Sequence, residues 1–193
     1  MMAGVLLLGV VLLAGCDEQP RSDVQPMQFD VDPGRLGAAV EDADHGIRFQ
    51  APAGWEPLAA SAIDSIGRAV ALLGDVFDLR PRYVFLDPST GSLLSVATVS
   101  LPDSLTFDEQ IAHYGALLAD QFPSDTLRQG QYLKDGIHIA QFLVHPPGRV
   151  TFKLLFESPF GTLLQFDYLV PAAQYPGQIK AIESSIGSIQ RHE

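Results

Sequence analysis

The residue best equipped for chemistry is Cys16, the only cysteine in the chain. A thiolate is a strong nucleophile and can take a diacylglycerol group as a thioether. With no second cysteine, no internal disulfide can form. The five histidines, His45, His113, His138, His145 and His192, make no ligand set by spacing. His138 starts an expected strand and His145 follows its end seven positions on, hence on opposite faces of a regular strand. His113 falls beside an apolar helical stripe and reads as a boundary residue. The sequence contains no His-Glu-x-x-His, paired cysteines or EF-hand loop, so no metal and no cofactor is expected. It contains no Gly-x-Ser-x-Gly elbow or phosphate-cradling glycine loop either. Ser184, Ser185 and Ser188 are nucleophile types, yet they fall in an expected helix with no base beside them, and no catalytic residue is assigned. Arg80 and Arg82 flank Pro81, where they could clamp an anion or simply line a solvated strand entrance. Trp55 could line a pocket, but its expected place is a seal at the end of the core.

What stands before Cys16 gives it a role. Residues 5–14 form a short apolar run broken only by Gly9, and Leu13-Ala14-Gly15-Cys16 closes it. A helix needs about 20 apolar residues to span a bilayer, so this run is too short. It has the form of a signal-peptide core with small residues before a cut site. Leu13-Ala14-Gly15-Cys16 resembles the lipobox of bacterial lipoproteins at every position. That resemblance implies a signal peptide over residues 1–15 and a lipid anchor, palmitate among its acyl chains, at Cys16. Asp17 resembles the residue that retains enterobacterial lipoproteins in the inner membrane. The expected location is therefore the cell membrane, on its periplasmic or extracytoplasmic side. No Lys or Arg precedes the apolar run, and the paired Met1-Met2 points to a translation start further upstream.

The chain has 193 residues, 47% of them hydrophobic, and a net charge of −11. That length suits one domain with a substantial core. The acidity argues against nucleic acid, whose phosphates need Lys and Arg, and against adsorption to anionic lipid. Residues 17–45 hold eight acids (Asp17, Glu18, Asp23, Asp30, Asp32, Glu41, Asp42, Asp44) against Arg21 and Arg35, with Pro20, Pro26 and Pro33. Such a composition predicts an extended acidic tether over residues 16–45. The competing reading packs it on the domain through Met27, Phe29, Val31 and Leu36.

A folded domain is expected over residues 46–193. Ile47 and Phe49 alternate with polar partners before a turn at Pro52, Gly54 and Trp55. Ile63, Ile66, Val70, Leu73 and Phe77 recur at helical spacing, although Gly67 and Gly74 weaken that helix. Residues 83–86 and 93–101 predict a hairpin around Asp87-Pro88-Ser89-Thr90-Gly91. Thr106 and Glu109 have capping-box spacing ahead of a stripe of Phe107, Ile111, Tyr114, Leu118 and Phe122, and Pro123 stops that helix. Strands follow over 129–133, 137–144, 149–157 and 162–170, with turn chemistry in each gap. Tyr175, Ile179, Ile182, Ile186 and Ile189 make a closing helix. The class is α+β, an antiparallel β-sheet with helices packed on its faces.

Three stretches carry a further likeness. Ile47-Arg48-Phe49-Gln50-Ala51-Pro52-Ala53-Gly54-Trp55 is similar to a first strand ending in a Pro-x-Gly-Trp turn. The meander over residues 136–170 and the ending Ser184-Ser185-Ile186-Gly187-Ser188-Ile189 complete the pattern. Together they resemble the PsbP-like fold, an α/β/α sandwich shared by the photosystem protein PsbP, a Ran-binding import factor and lipoproteins of the DcrB type. The resemblance implies no shared catalytic residues and a role in docking onto larger partners. The expected function is a membrane-anchored, non-catalytic accessory module of the cell envelope, with an unidentified protein partner. A carrier of small apolar ligands, with a pocket between sheet and helix, is the alternative, and an enzyme stands third.

Overall fold

The computed structural model describes residues 24–72, 78–102, 104–123 and 126–192. Cys16 and the lipobox lie outside the described residues, as do Leu73 and Phe77 of the first helical stripe.

Alternating apolar residues build the central sheet. Strands β1 (Gln25–Pro26), β2 (Leu36–Asp42), β3 (Ile47–Pro52) and β4 (Glu56–Pro57) precede helix α1 (Ala60–Leu72). Then come β5 (Asp78–Leu86), β6 (Leu93–Ser100) and α2 (Phe107–Gln121). Strands β7 (Leu127–Lys134), β8 (Ile137–Val144), β9 (Arg149–Glu157) and β10 (Leu163–Pro171) form a meander, followed by α3 (Tyr175–Gly187) and β11 (Gln190–Arg191). Eight strands form the large sheet in the order β1-β7-β8-β9-β10-β6-β5-β4, and a second sheet has the order β11-β3-β2. Pairing is antiparallel except between β1 and β7. The β7–β8 link is two residues with left-handed backbone, Asp135 at φ 49° and Gly136 at φ 77°, the twist that suits a tight hairpin.

The pleat sorts the meander's side chains onto two faces. Ile139, Leu154, Phe156, Phe166 and Tyr168 join one core with Phe49 of β3 and Ile182, Ile186 of α3. Their neighbours Ala140, Phe142, Leu155 and Leu163 join another with Ile111, Tyr114 and Leu118 of α2. Helices therefore cover both faces, an α/β/α arrangement, and the expected α+β class holds. Phe49 is the hub of the first core, edge-on to Phe166 at 4.9 Å, Tyr83 at 5.7 Å and Phe85 at 6.2 Å. Helix α2 starts at the expected capping box, with Thr106 and Glu109 bonding reciprocally.

Three expectations differ from the structure. Residues 24–45 do not form a free tether: β1 pairs with β7, and β2 pairs with β3. Between them a strap crosses the end of α3, where the half-buried Phe29 and Val31 lie against Gly187 and the Asp32 amide donates to Ser184 Oγ at 3.1 Å. The apolar residues of this acidic stretch outweigh its charge, because the acids point outward or find partners. The strand expected at residue 83 begins at Asp78, with a register shift between Pro81 and Tyr83 that accommodates the proline's missing N–H. The closing helix ends at Gly187, and Ile189 joins the core from the turn beyond it.

Candidate functional site

The polar residues that chemistry would need are held between structural layers. The β2–β3 hairpin turns through Asp42, Asp44, His45 and Gly46, the last in left-handed backbone at φ 62°. It carries its acids to the bulge of β5. There His45 Nδ1 donates to Asp42 Oδ2 at 2.9 Å, with both side chains at most 8% exposed. Arg82 Nη2 donates to Asp44 Oδ2 at 2.9 Å, while its Nε stands 3.6 Å from Asp42 Oδ2, an ion pair longer than a hydrogen bond. Burial disfavours the Arg82 charge, but the Asp44 bond and the Asp42 field outweigh it and raise the guanidinium's pKa. Burial pushes the Tyr83 phenol up as well, with Asp42 adding to the shift. An Asp–His pair can orient an imidazole for proton transfer. Here the pair is closed off from solvent inside one hairpin, and Arg82 of β5 links that hairpin to the large sheet.

The serines behave likewise. Ser185 Oγ donates to Gln50 O at 2.6 Å and meets Tyr168 Oη at 2.9 Å. Ser188 Oγ donates to Ser185 O at 2.6 Å and accepts from Gln50 N at 2.9 Å. Ser184 receives the strap. All three are buried, and their hydroxyls stitch α3 to β3, β10 and residue 32. Burial drives the Tyr168 phenol upward, only partly opposed by its Ser185 bond, and Tyr132 shifts the same way by burial. On the α2 face, Tyr114 Oη donates to Gln165 Oε1 at 2.6 Å and Lys153 Nζ donates to Asp167 Oδ2 at 2.6 Å across β9 and β10. Lys134 Nζ, also buried, donates to Ile189 O at 2.8 Å and Asp135 Oδ2 at 2.6 Å, tying β7 to the turn after α3.

The remaining sequence candidates fall apart spatially. His138 lies 2.9 Å from Gln131 Oε1 and edge-on to Phe107, whereas His145 stands beyond the end of β8 with its amide bonded to Thr126 O. Arg80 turns to Asp78 at 3.2 Å and Arg82 to Asp44, so the two do not clamp one anion. Trp55 is 7% exposed against Tyr168, in the sealing position expected of it. Among the described residues, no group of three metal-ligating side chains assembles.

Among the described residues, three clefts lie at the rims of the sheet. One of about 400 Å³ runs between Phe107, His138, Glu157, Pro159 and Arg191. Another of about 290 Å³ lies between the β5–β6 turn and Arg149, and a third of about 350 Å³ between α1 and β5. Each mixes polar and apolar walls. Beside the second, Asp87 organises the turn: Oδ1 accepts from Ser89 N and Oγ, and Oδ2 from Thr90 Oγ1 and Gln178 Nε2 of α3. Burial pushes this carboxyl up, but the Ser89 and Thr90 bonds together outweigh it and hold it below the ordinary value.

Eight strands wrapped by α2 on one face and by α3 with a small sheet on the other have a counterpart among solved structures. The solution structure of cyanobacterial PsbP (CyanoP) from Synechocystis sp. superposes on this chain with a TM-score of 0.53, covering 86% of this chain and 98% of its own at 16% identity. The fold is PsbP-like. A Bacteroides thetaiotaomicron crystal structure is also similar, at a TM-score of 0.44 and 12% identity, over 81% of this chain and 49% of that one. No family model and no curated protein matches the sequence. Among the described residues of the PsbP-like unit, no helix is long and apolar enough to cross a membrane.

The Asp42–Arg82 cluster is not legible in the sequence because its two halves are about forty positions apart and the acids, read by composition, predict a tether. The bulge-forming Arg80-Pro81-Arg82 was a usable signal, since a proline inside a strand reorients its neighbours.

Proposed function

We propose that this protein is a bacterial lipoprotein of the DcrB type, anchored to the cell membrane through Cys16. Its PsbP-like domain serves there as a non-catalytic docking module of the cell envelope. The observation that carries the reading is the fate of the reactive side chains. Ser184, Ser185, Ser188 and Lys134 are buried and bonded between elements, and Asp42 and His45 are buried and bonded to each other within the β2–β3 hairpin, so the chemistry-bearing residues hold the fold together. Docking is favoured over carriage of an apolar ligand by the filling of the space between sheet and α3. Phe49, Phe156, Phe166 and Tyr168, all fully buried, occupy the layer where such a ligand would sit. The lipobox residues Leu13 to Cys16 support the anchor, and Asp17 supports the inner membrane.

The anchor is tested by radiolabelled palmitate. The natural chain should incorporate label and shift to the mature size, and Cys16→Ala should remain an unlabelled precursor. Equal labelling of the two sinks the anchor. Sucrose-gradient fractionation into the outer membrane would remove the inner-membrane assignment.

A further inference from the structure

Sheet edges are where this fold is uneven. The large sheet ends in β1 and β4, two residues each, which cover only Tyr132–Leu133 of β7 and Phe85–Leu86 of β5. The rest of those two strands carries Arg128 or Arg80-Pro81-Arg82. The small sheet ends on one side in β11, also two residues. Its other edge is β2, seven residues long, with no described strand on its outer side. An antiparallel edge strand points half of its N–H and C=O groups outward, and proteins usually blunt such edges with Lys, Pro or short strands. Leu36-Gly37-Ala38-Ala39-Val40-Glu41-Asp42 holds neither Lys nor Pro, and Ala38 and Ala39 are exposed and too small to screen the backbone. A bulge between Leu36 and Ala39 twists one end and leaves Ala39 to Asp42 in regular register with β3.

The surroundings of this edge are acidic. Of its acids, Asp32 and Asp44 are paired with Arg35 and Arg82 and Asp42 is buried beside His45, so Asp30 and Glu41 remain as exposed acids of residues 24–45 outside those pairs. Glu41 is 59% exposed, with the Arg48 guanidinium and the His192 ring each 4.0 Å away. We propose that the outer edge of β2 is a strand-addition site for an extended, basic segment of a protein partner. This rests on the docking reading and names the surface it uses. Backbone hydrogen bonds supply the grip, and cationic side chains beside Glu41 supply selectivity. A second copy of this chain fits poorly, because each brings a net charge of −11.

The test uses the full chain and synthetic heptapeptides of alternating Lys and Val or alternating Glu and Val. Two further Lys/Val peptides carry N-methyl groups on one or the other alternate set of residues. Fluorescence anisotropy should show saturable binding of the Lys/Val peptide, none of the Glu/Val peptide, and weakening as salt rises. One methylated set should bind about tenfold more weakly and the other unchanged, since only one set faces β2 and methylating that set removes two or three backbone bonds. Hydrogen exchange should slow at residues 36–42, and Glu41→Lys should weaken binding without loss of folding. Absent binding, equal effects of the two methylated sets, or protection away from β2 overturns the proposal. So does a dimer in sedimentation with β2 protected, which would make a second copy the occupant. Photo-crosslinkers at Ala38 and at the distant, exposed Arg128 separate the two levels. A partner captured only from Arg128 overturns the edge and leaves docking standing, whereas capture from neither position counts against docking itself.

Discussion

Replacing Gly187 with Ala tests whether the strap over α3 belongs to the fold. Gly187 is the last residue of α3, and a Cβ there would stand 2.5 Å from Val31 Cγ2 and 2.7 Å from Phe29 Cβ. Carbon atoms pack at about 3.5–4.0 Å, so the strap must retreat by roughly 1 Å. Retreat stretches the 3.1 Å bond from the Asp32 amide to Ser184 Oγ and the contact of Phe29 with Tyr132 at 5.7 Å. Overpacking of this kind costs about 1–3 kcal/mol. Against it, Ala is better than Gly inside a helix by at most about 1 kcal/mol, and by less at a terminal position. The clash wins, and a domain of this size should lose about 2–8 °C in Tm by calorimetry. Hydrogen exchange should quicken at the Asp32 amide and at the Met27 amide, which donates to Leu133 O. In a Val31→Ala background the penalty should shrink, because one of the two clashing atoms is gone. A Gly187→Ala chain as stable as the natural one, with unchanged exchange at both amides, would refute the reasoning and return residues 24–35 to the status of a tether.

Two further outcomes follow from the polar bonds. Ser185→Ala leaves the fully buried Tyr168 hydroxyl without its 2.9 Å partner, and should cost about 1–3 kcal/mol in urea unfolding. The Asp87 carboxyl is held below its ordinary value of 3.8, so the stability it contributes is fully present above that value and drains away as pH falls through the lower, folded one. Urea midpoints from pH 6 down to pH 2.5 should therefore show Asp87→Asn weaker than the natural chain at pH 6, with the gap closing below about pH 3.8; a gap constant with pH would contradict this.

The large sheet was legible in the sequence because its strands obey one local rule. Val150, Phe152, Leu154 and Phe156 on β9, and Leu164, Phe166, Tyr168 and Val170 on β10, place one apolar side chain every second residue, and the gaps hold turn formers. The α2 cap was legible for the same reason, since Thr106 and Glu109 lie within one helical turn. What could not be read was decided by distant partners. β1 and β4 are strands only because β7 and β5 accept them, and two residues carry no period of their own. β2 contains Gly37, Ala38 and Ala39, poor strand formers that are extended because β3 fixes them.

The misread stretch also shows why charge counting alone does not locate a linker. Eight acids and three prolines argue for solvation only if nothing nearby repays burial. Here Phe29, Val31 and Val40 supply apolar contacts, and Arg35 satisfies Asp32 at 3.1 Å. Arg82 then satisfies Asp44, and His45 satisfies Asp42, each within 3 Å. An unpaired carboxylate at the depth of Asp42 would be costly, and His45 pairs it within the hairpin, while the bulge after Pro81 brings Arg82 to Asp44 and to 3.6 Å from Asp42, tying the hairpin to β5. The same residues that suggest a tether are thereby the ones that lock the small sheet onto the large one, while Glu41, 59% exposed and 4.0 Å from Arg48 of β3, stays at the surface of β2.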